Sequence, residues 1–230
     1  MAQVEQAIRL QRRNKFARYF PDAGPLRREL YPKHVEFFAA GARHFERLFM
    51  AANKVGKTQG LSYETVAHAT GNYPHWWPGH RFAHPITGWV CNTNWETVRD
   101  VNQLELIGPP AQPGEWGTGM IPADSIRNIQ RNSHVKNGVL LVQVRYRDSA
   151  SEISELQFKN YEQGRMAFQG TNKDWIWYDE ELPIDVYGEM LLRVMTSGGH
   201  LAGSYTPLLG MTPHTLSFMP GGAGMAPQRA

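Results

Sequence analysis

Short apolar runs separated by helical patterns recur along the chain and predict alternating strands and helices. Strands are predicted at 47–52, 88–92, 175–178 and 200–205. Helices are predicted at 32–38, 57–70, 93–107 and 183–195. This alternation is typical of an α/β fold in which helices flank a mainly parallel central sheet.

Two further strands, 139–147 and 153–159, are predicted to form a hairpin. The first alternates apolar and polar positions, as a strand with one face in water does, and 148–151 supply the turn. The two ends of the chain differ from the middle. Residues 3–18 predict a helix, whereas proline and glycine in 211–230 predict a linker or a frayed tail.

The composition favours one large domain, because 230 residues can bury a sizeable core. A hydrophobic content of 41% with 20% charged residues is ordinary for a globular protein. The one cysteine, Cys91, lies in a predicted strand, which excludes a disulfide framework and favours a reducing cytoplasm. We expect no signal peptide and no membrane partner, because the apolar runs are far shorter than the roughly 20 residues of a spanning helix.

Positive charge is concentrated near the start of the chain. Residues 1–50 hold ten Lys/Arg against five acids, whereas the whole chain has a net charge of only +3. A basic segment favours a polyanion partner such as DNA. The alternative is a solvated amphipathic helix, since apolar and polar positions alternate faces in this segment.

The segment 72–85 combines aromatic residues, proline and glycine with His75, His80 and His84. A metal site is disfavoured, because no cysteine or carboxylate accompanies the histidines and the Pro/Gly content opposes a rigid pair of ligands. We expect a loop whose tryptophans pack on the sheet edge, on a neighbouring subunit or on DNA.

Residues 51–58, Ala-Ala-Asn-Lys-Val-Gly-Lys-Thr, lie between a predicted strand and a predicted helix. This is the context of a phosphate-binding loop, in which backbone N–H groups and a helix N-terminus face a polyphosphate. Lys57 would then reach the β and γ phosphates, and Thr58 would ligate Mg²⁺. The pattern departs from the full signature at Ala51, where glycine is usual.

A second motif strengthens the first. Trp175 to Tyr178 are bulky strand formers, and acids follow them at the predicted carboxyl end of a buried parallel strand, where ligands of open α/β folds bind. Asp179 would hold Mg²⁺ through water, and Glu180 would polarise the attacking water. A plain core strand followed by a helix start is the alternative, since Glu181 and Pro183 suit a first turn.

Six ordered blocks between residues 28 and 212 together resemble the ATPase half of tailed-phage large terminase subunits. The blocks are Pro32-Lys33-His34, 52–58, 158–165, 168–171, Asp179-Glu180-Glu181 and 205–208. The resemblance implies an additional-strand, RecA-like P-loop ATPase that uses ATP and Mg²⁺. It also implies that the chain works in the host cytoplasm, as a homo-oligomeric ring on the procapsid portal protein or as a monomer in isolation. The implied partners are double-stranded DNA, the portal and the small terminase subunit.

The resemblance also implies roles for individual residues. The catalytic set is Glu180, Lys57 and Arg165, and Arg165 is our candidate for a finger supplied to a neighbouring subunit because it lies ahead of the acidic strand. The nucleotide-binding set is Tyr31, His34, Asn53, Lys54, Val55, Gly56, Lys57, Thr58 and Thr206. The metal set is Thr58 and Asp179, and Ser204 joins Thr206 in a coupling motif. The family often has glutamine where His34 stands and arginine where Lys54 stands. As an alternative for Arg165, the side chain would pair with Glu162 at a turn.

We expect a helical basic segment at 1–45, an ATPase core at 46–212 and a linker or flexible tail at 213–230. No acid follows Glu189, so we expect no nuclease activity, which needs convergent carboxylates. Two functions stay open: ATP hydrolysis that drives DNA translocation, or a nucleotide-gated DNA-binding or assembly module with little turnover of its own.

Overall fold

The computed structural model of the chain describes residues 14–219. Seven strands form one mixed sheet: β1 (Glu46–Met50), β2 (Thr87–Asn92), β3 (Ile126–Arg131), β4 (Val139–Arg145), β5 (Ile153–Asn160), β6 (Trp175–Asp179) and β7 (His200–Tyr205). Their order is β1-β7-β6-β2-β5-β4-β3. The strands from β1 to β5 in this order are parallel, whereas β4 and β3 are antiparallel additions. This architecture confirms the predicted α/β class and its mainly parallel sheet.

Helices cover both faces of the parallel strands. They are α1 (Pro32–Ala40), α2 (Lys57–Thr70), α3 (Trp95–Thr97, π-helical Val98–Gln103 and Leu104–Leu106), α4 (Ile184–Ser197) and α5 (Pro213–Ser217). On one face α1 and α2 pack against the sheet in one hydrophobic cluster, and on the other face α4 packs in a second cluster. Gly71 and Gly198 adopt the left-handed conformation that ends α2 and α4.

Strand β7 is inserted between β1 and β6, which confirms the predicted additional-strand order. Strand β7 needs glycine at position 203, because a Cβ atom there would lie 2.0 Å from the ring of Tyr178. Strands β6 and β7 are buried along their whole length. The chain leaves both strands at the carboxyl edge of the sheet. The loop that follows β1 lies at the same edge.

The buried tryptophans of β6 keep hydrogen-bond partners, as buried indole N–H groups generally do. Trp175 donates to Thr65 Oγ1 at 2.9 Å, and Trp177 donates to Ser204 Oγ at 3.1 Å. These bonds connect β6 to helix α2 and to the adjacent strand β7. The strand that ends in Asp179 is therefore held by a helix as well as by the sheet.

A buried ion pair connects β1 with α2. Arg47 donates to both carboxylate oxygens of Glu64, at 3.0 and 3.2 Å, and also to Phe37 O at 2.9 Å. The Glu64 carboxylate lies 3.4 Å from His68 Nε2. Burial acts to raise the pKa of Glu64, but Arg47 and His68 outweigh it and the pKa is lowered. The pair therefore keeps a charged carboxylate inside the domain.

Several predicted elements need correction. The strand at 47–52 is an edge strand, so its apolar residues 48–50 are only half-buried and Arg47 is the buried member. Strand β3 is missing from the predicted elements, because its alternation is obscured by polar residues at four of six positions. The predicted linker is wrong for α5, where His214 and Thr215 are buried.

The aromatic segment 72–85 is a loop, as predicted, but its tryptophans pack on helices rather than on the sheet edge. Trp77 stacks on Phe38 of α1, and Trp76 stacks on Tyr63 of α2. The helix predicted at 3–18 falls mostly outside the described residues, and its end forms a 3₁₀ turn at Phe16–Arg18. Between residues 14 and 219, no helix is both long and apolar enough to cross a lipid bilayer.

Candidate nucleotide site

The loop between β1 and α2 has the backbone of a phosphate cradle. Lys54 and Gly56 both have left-handed φ angles, 63° and 84°, and α2 starts directly afterwards at Lys57. Such a loop aims successive N–H groups inward, next to the positive end of the 14-residue helix α2. The local geometry is therefore suited to an anion with several oxygens.

Lys57 is held at the mouth of this loop by three oxygens. Its ammonium group donates to Ala51 O at 3.0 Å, to Ala52 O at 2.8 Å and to Thr206 Oγ1 at 2.9 Å. The Thr206 hydroxyl also lies 2.8 Å from Asn53 Oδ1. Residue 206 follows β7, so the inserted strand brings a second segment of the chain onto the phosphate loop.

Asp179 ends β6 with a buried and fully partnered carboxylate. It accepts from Ser204 Oγ at 2.7 Å and, at 3.4 Å each, from Thr58 Oγ1 and Asn102 Nδ2. Burial is the main cause that raises its pKa to about 7, and Glu180 adds to the shift while the bonds from Ser204 and Thr58 oppose it. A nearby cation would lower this pKa, because positive charge favours the ionised form of a carboxylate.

Glu180 turns out of the sheet immediately after Asp179. Its φ of 65° is unusual for a residue with a side chain, and its backbone N–H donates to Ser204 O at 2.8 Å. Burial raises the pKa of Glu180, and the Lys57 ammonium opposes that rise. The same ammonium also opposes the rise in the pKa of Asp179. Lys57 therefore acts on the pKa of both carboxylates.

His34 connects α1 with the loop, since its Nε2 lies 3.1 Å from Gly56 O. Burial lowers the pKa of this imidazole. His34 lines two cavities. One of about 500 Å³ is lined by α1 and β1, and one of about 560 Å³ is lined by Tyr31 and Lys54. Val55 borders both cavities, so either adjoins the phosphate loop.

The structure adds residues that the sequence motifs do not indicate. Asn102, in the π-helical part of α3, donates to Asp179, and Asn92 Nδ2 donates to Asn102 Oδ1 at 2.8 Å. Tyr161 donates to Asp179 O at 2.7 Å. The sequence indicates only the position of Asn92, which ends a strand and therefore lies beside β6 at the carboxyl edge of the sheet.

Arg165 does not join the other predicted residues. Its guanidinium donates to Glu189 of α4 at 2.8 Å, and 57% of its side chain is exposed. The partner is thus Glu189 rather than the alternative, Glu162. Whether Arg165 acts on a neighbouring subunit stays a prediction.

The donor set at Thr58 and Asp179 fits Mg²⁺, which takes oxygen ligands and usually completes its shell with phosphates and water. In the part of the chain that the structure describes, no group of three His, Cys, Asp or Glu side chains converges on a metal position. A magnesium ion held by Thr58 and Asp179 would take its other oxygen ligands from nucleotide phosphates and water. When bound, it would neutralise phosphate charge.

Comparison with known proteins agrees with these motifs. Residues 48–219 match the family described as terminase large subunit, T4likevirus-type, N-terminal. The large terminase subunit of Salmonella phage P22 is 35% identical over 204 residues, which are 82% of this chain but 41% of that protein. The chain thus spans less than half the length of this relative.

A solved structure is also similar. It is the large terminase of a thermophilic bacteriophage in complex with ADP, at 10% identity and a TM-score of 0.47, covering 85% of this chain and 37% of that one. The assignment to a family depends on the sequence match, which covers most of the chain. This chain belongs to the family of terminase large subunits, and it matches their N-terminal part.

Proposed function

We propose that this chain is the ATPase motor domain of a large terminase and that its hydrolysis of ATP drives double-stranded DNA into procapsids. The observation that carries the proposal is the convergence of Lys57, Thr58 and Asp179. These residues come from a phosphate loop and a distant strand, yet Thr58 lies 3.4 Å from Asp179 and Lys57 acts on its pKa. Such a convergence suits a metal–nucleotide complex.

Each residue has a role in this proposal. Lys57 and the loop N–H groups bind the β and γ phosphates, while Thr58 and Asp179 orient the magnesium. Glu180 positions the attacking water and accepts its proton, for which a raised pKa is favourable. Tyr31 and His34 flank the adenine, and Asn53 and Thr206 position Lys57 from the opposite side.

The wider assembly follows from membership in the family and is part of the proposal. The chain acts in the host cytoplasm, in a homo-oligomeric ring on the portal, with DNA and the small terminase subunit as further partners. Arg165 serves the neighbouring site in that ring, because a finger in trans stabilises charge on the transferred phosphoryl group. Its exposed position on the surface is compatible with such a contact.

One observation favours a second candidate, a nucleotide-gated DNA-binding or assembly module with little turnover. Arg165 is paired with Glu189 within the same chain, and this ion pair would have to break before the arginine could act on phosphate. Because an arginine finger contributes about 10³–10⁵ to the turnover of related phosphoryl-transfer sites, a lone chain would bind ATP and hydrolyse it slowly.

Phosphate release and ATP binding, measured on the same preparations with and without DNA, test both candidates. In the Glu180→Gln variant we expect hydrolysis to fall at least about 100-fold while ATP binding is retained, because only the base is lost. The Lys57→Ala variant should lose both. A matched control is Glu152→Gln. It removes an exposed carboxylate that directly precedes β5, at the edge of the sheet opposite to the carboxyl edge.

Normal hydrolysis by Glu180→Gln would show that this glutamate is not the base. Tight ATP binding with no measurable phosphate release by the wild-type chain, even with DNA, would favour the second candidate. Unchanged ATP binding by Lys57→Ala would contradict both.

A further inference from the structure

Residues 126–147, which we call the basic hairpin, form β3, β4 and their connecting turn at the outer edge of the sheet. This stretch contains no Asp or Glu. It contains five cations: Arg127, Arg131, Lys136, Arg145 and Arg147. The whole chain has a net charge of +3, so without this hairpin its charge would be negative.

The cations of the basic hairpin lack acidic partners. Among residues 14–219, none of the five lies within ion-pair distance of a carboxylate, whereas eight other Lys and Arg side chains do. Four of the five are exposed, and Arg145 is half-buried. A surface that keeps its positive charges unneutralised has an attractive potential for an anion.

Two of these cations lie over aromatic rings. Arg131 lies 5.1 Å from the centre of the Trp116 ring, and Arg147 lies 5.0 Å from that of Tyr146. Both guanidinium groups are exposed, so each keeps its charge at the surface beside an aromatic face.

We propose that the basic hairpin is a docking surface for the phosphate backbone of duplex DNA. This inference rests on the proposed function, which supplies DNA as the polymer, whereas the charge pattern selects the surface. Protein interfaces usually centre on large apolar or aromatic anchors, yet residues 126–147 contribute none of the large hydrophobic side chains that are exposed in the described chain. Phosphate recognition needs unpaired cations and no such anchor.

The basic hairpin is fixed to the helix that reaches the nucleotide site. Gln103 donates to Asn137 O and accepts from Val139 N, both at 2.9 Å, which holds the turn of the hairpin against α3. The preceding residue, Asn102, donates to Asp179. Duplex DNA on the hairpin would thus contact the same structural unit that contacts the metal-binding carboxylate.

The test is fluorescence anisotropy of a labelled duplex of about 30 base pairs, titrated with the chain between about 50 and 200 mM salt. The Arg127→Ala/Lys136→Ala double variant is compared with Arg27→Ala/Arg43→Ala, which removes two cations from the N-terminal segment. We expect the hairpin variant to bind at least about tenfold more weakly, and the slope of log K against log salt to fall by about 2, since each lost phosphate contact removes about one unit.

ATP turnover without DNA is measured on every variant and separates the two proposals. Wild-type turnover by the hairpin variant with weakened DNA binding supports the docking surface. Equal DNA binding by the hairpin variant and the wild type would overturn it and leave the ATPase proposal standing. A selective loss in Arg27→Ala/Arg43→Ala would overturn it too, by moving the surface to the N-terminal segment.

Charged residues also protect edge strands from pairing with other chains. If that is their role here, the hairpin variant will self-associate in sedimentation velocity and keep its affinity for DNA, which would overturn the proposal. The same result would identify a second copy of the chain, rather than DNA, as the partner of this edge.

Discussion

The two halves of the sheet handle charge in opposite ways. In the parallel half, Arg47, Glu64 and Asp179 are buried and partnered, and the strands that carry the site are buried throughout. In the antiparallel half, the basic hairpin exposes cations that have no acidic partner among the described residues. The parallel half pairs Arg47, Glu64 and Asp179 internally, whereas the antiparallel half keeps its cations available to a partner.

This difference predicts where a substitution is costly. A buried charge that loses its partner keeps its full desolvation cost, whereas an exposed cation is already solvated. Arginine replacements should therefore reduce folding stability in the parallel half and reduce only binding in the basic hairpin. Effects should decrease from the buried ion pair, through the junction of the two halves, to a single titrating carboxylate.

The largest effect is expected for Arg47→Met. It removes both hydrogen bonds to Glu64 and leaves that carboxylate uncompensated, which should lower the free energy of unfolding by about 3–5 kcal/mol. Urea denaturation measures the change. Arg127→Ala on the hairpin is the matched control and should stay within about 0.5 kcal/mol of the wild type. Equal losses for the two variants would remove the proposed distinction between the halves.

The sequence was most informative where local chemistry sets the structure. The helix at 57–70 and the strand that ends in acids at Asp179 were predicted, because each depends on neighbouring residues. Strand β3 was missed, because an edge strand buries little and its polar residues hide the two-residue period. The buried Arg47–Glu64 pair needs tertiary contacts that no single-sequence pattern contains.

An intermediate effect is expected for Asn102→Ala, at the junction of the two halves. The Asp179 carboxylate would lose one of its three side-chain donors, so we expect ATP turnover to fall by about tenfold with ATP affinity nearly unchanged. Steady-state phosphate release and nucleotide titration separate the two quantities. Asn128→Ala, an exposed position in β3, is the control. Wild-type turnover by Asn102→Ala would reduce its role to packing.

The smallest effect concerns pH. Burial raises the pKa of Glu46 to about 7 from its usual value of 4.5, and its Oε1 has no hydrogen-bond partner. A raised folded-state pKa stabilises the fold at low pH, and this contribution is lost as the pH rises through about 7. Glu46→Gln should therefore gain about 1 kcal/mol relative to the wild type at about pH 8 and little at about pH 5.

Urea denaturation at the two pH values checks this prediction. The pKa of Asp179 is raised in the same way, so part of the pH dependence should remain in the Glu46→Gln variant. A pH dependence identical to that of the wild type would show that Glu46 does not titrate in this range. Arg145→Gln on the hairpin serves as the control, with no expected change in the pH dependence.

The site itself was predictable only in part. The approach of Lys57 and Thr58 to Asp179 could be predicted, because phosphate loops and acidic strand ends have local signatures. The contact between Asn102 and Asp179 could not be predicted, because it depends on a π-helical turn that brings the two side chains together. Arg165 shows the converse problem, because the family resemblance implies a role for it but cannot indicate that Glu189 holds it.

The backbone at Glu180 also matters for protein engineering. A glutamate with a φ of 65° adopts a conformation that glycine adopts without cost, so a campaign selecting thermostability alone would tend to replace it. Such variants would survive heating better and have no base for hydrolysis. Libraries built on this scaffold should therefore hold position 180 constant, or screen turnover together with melting temperature.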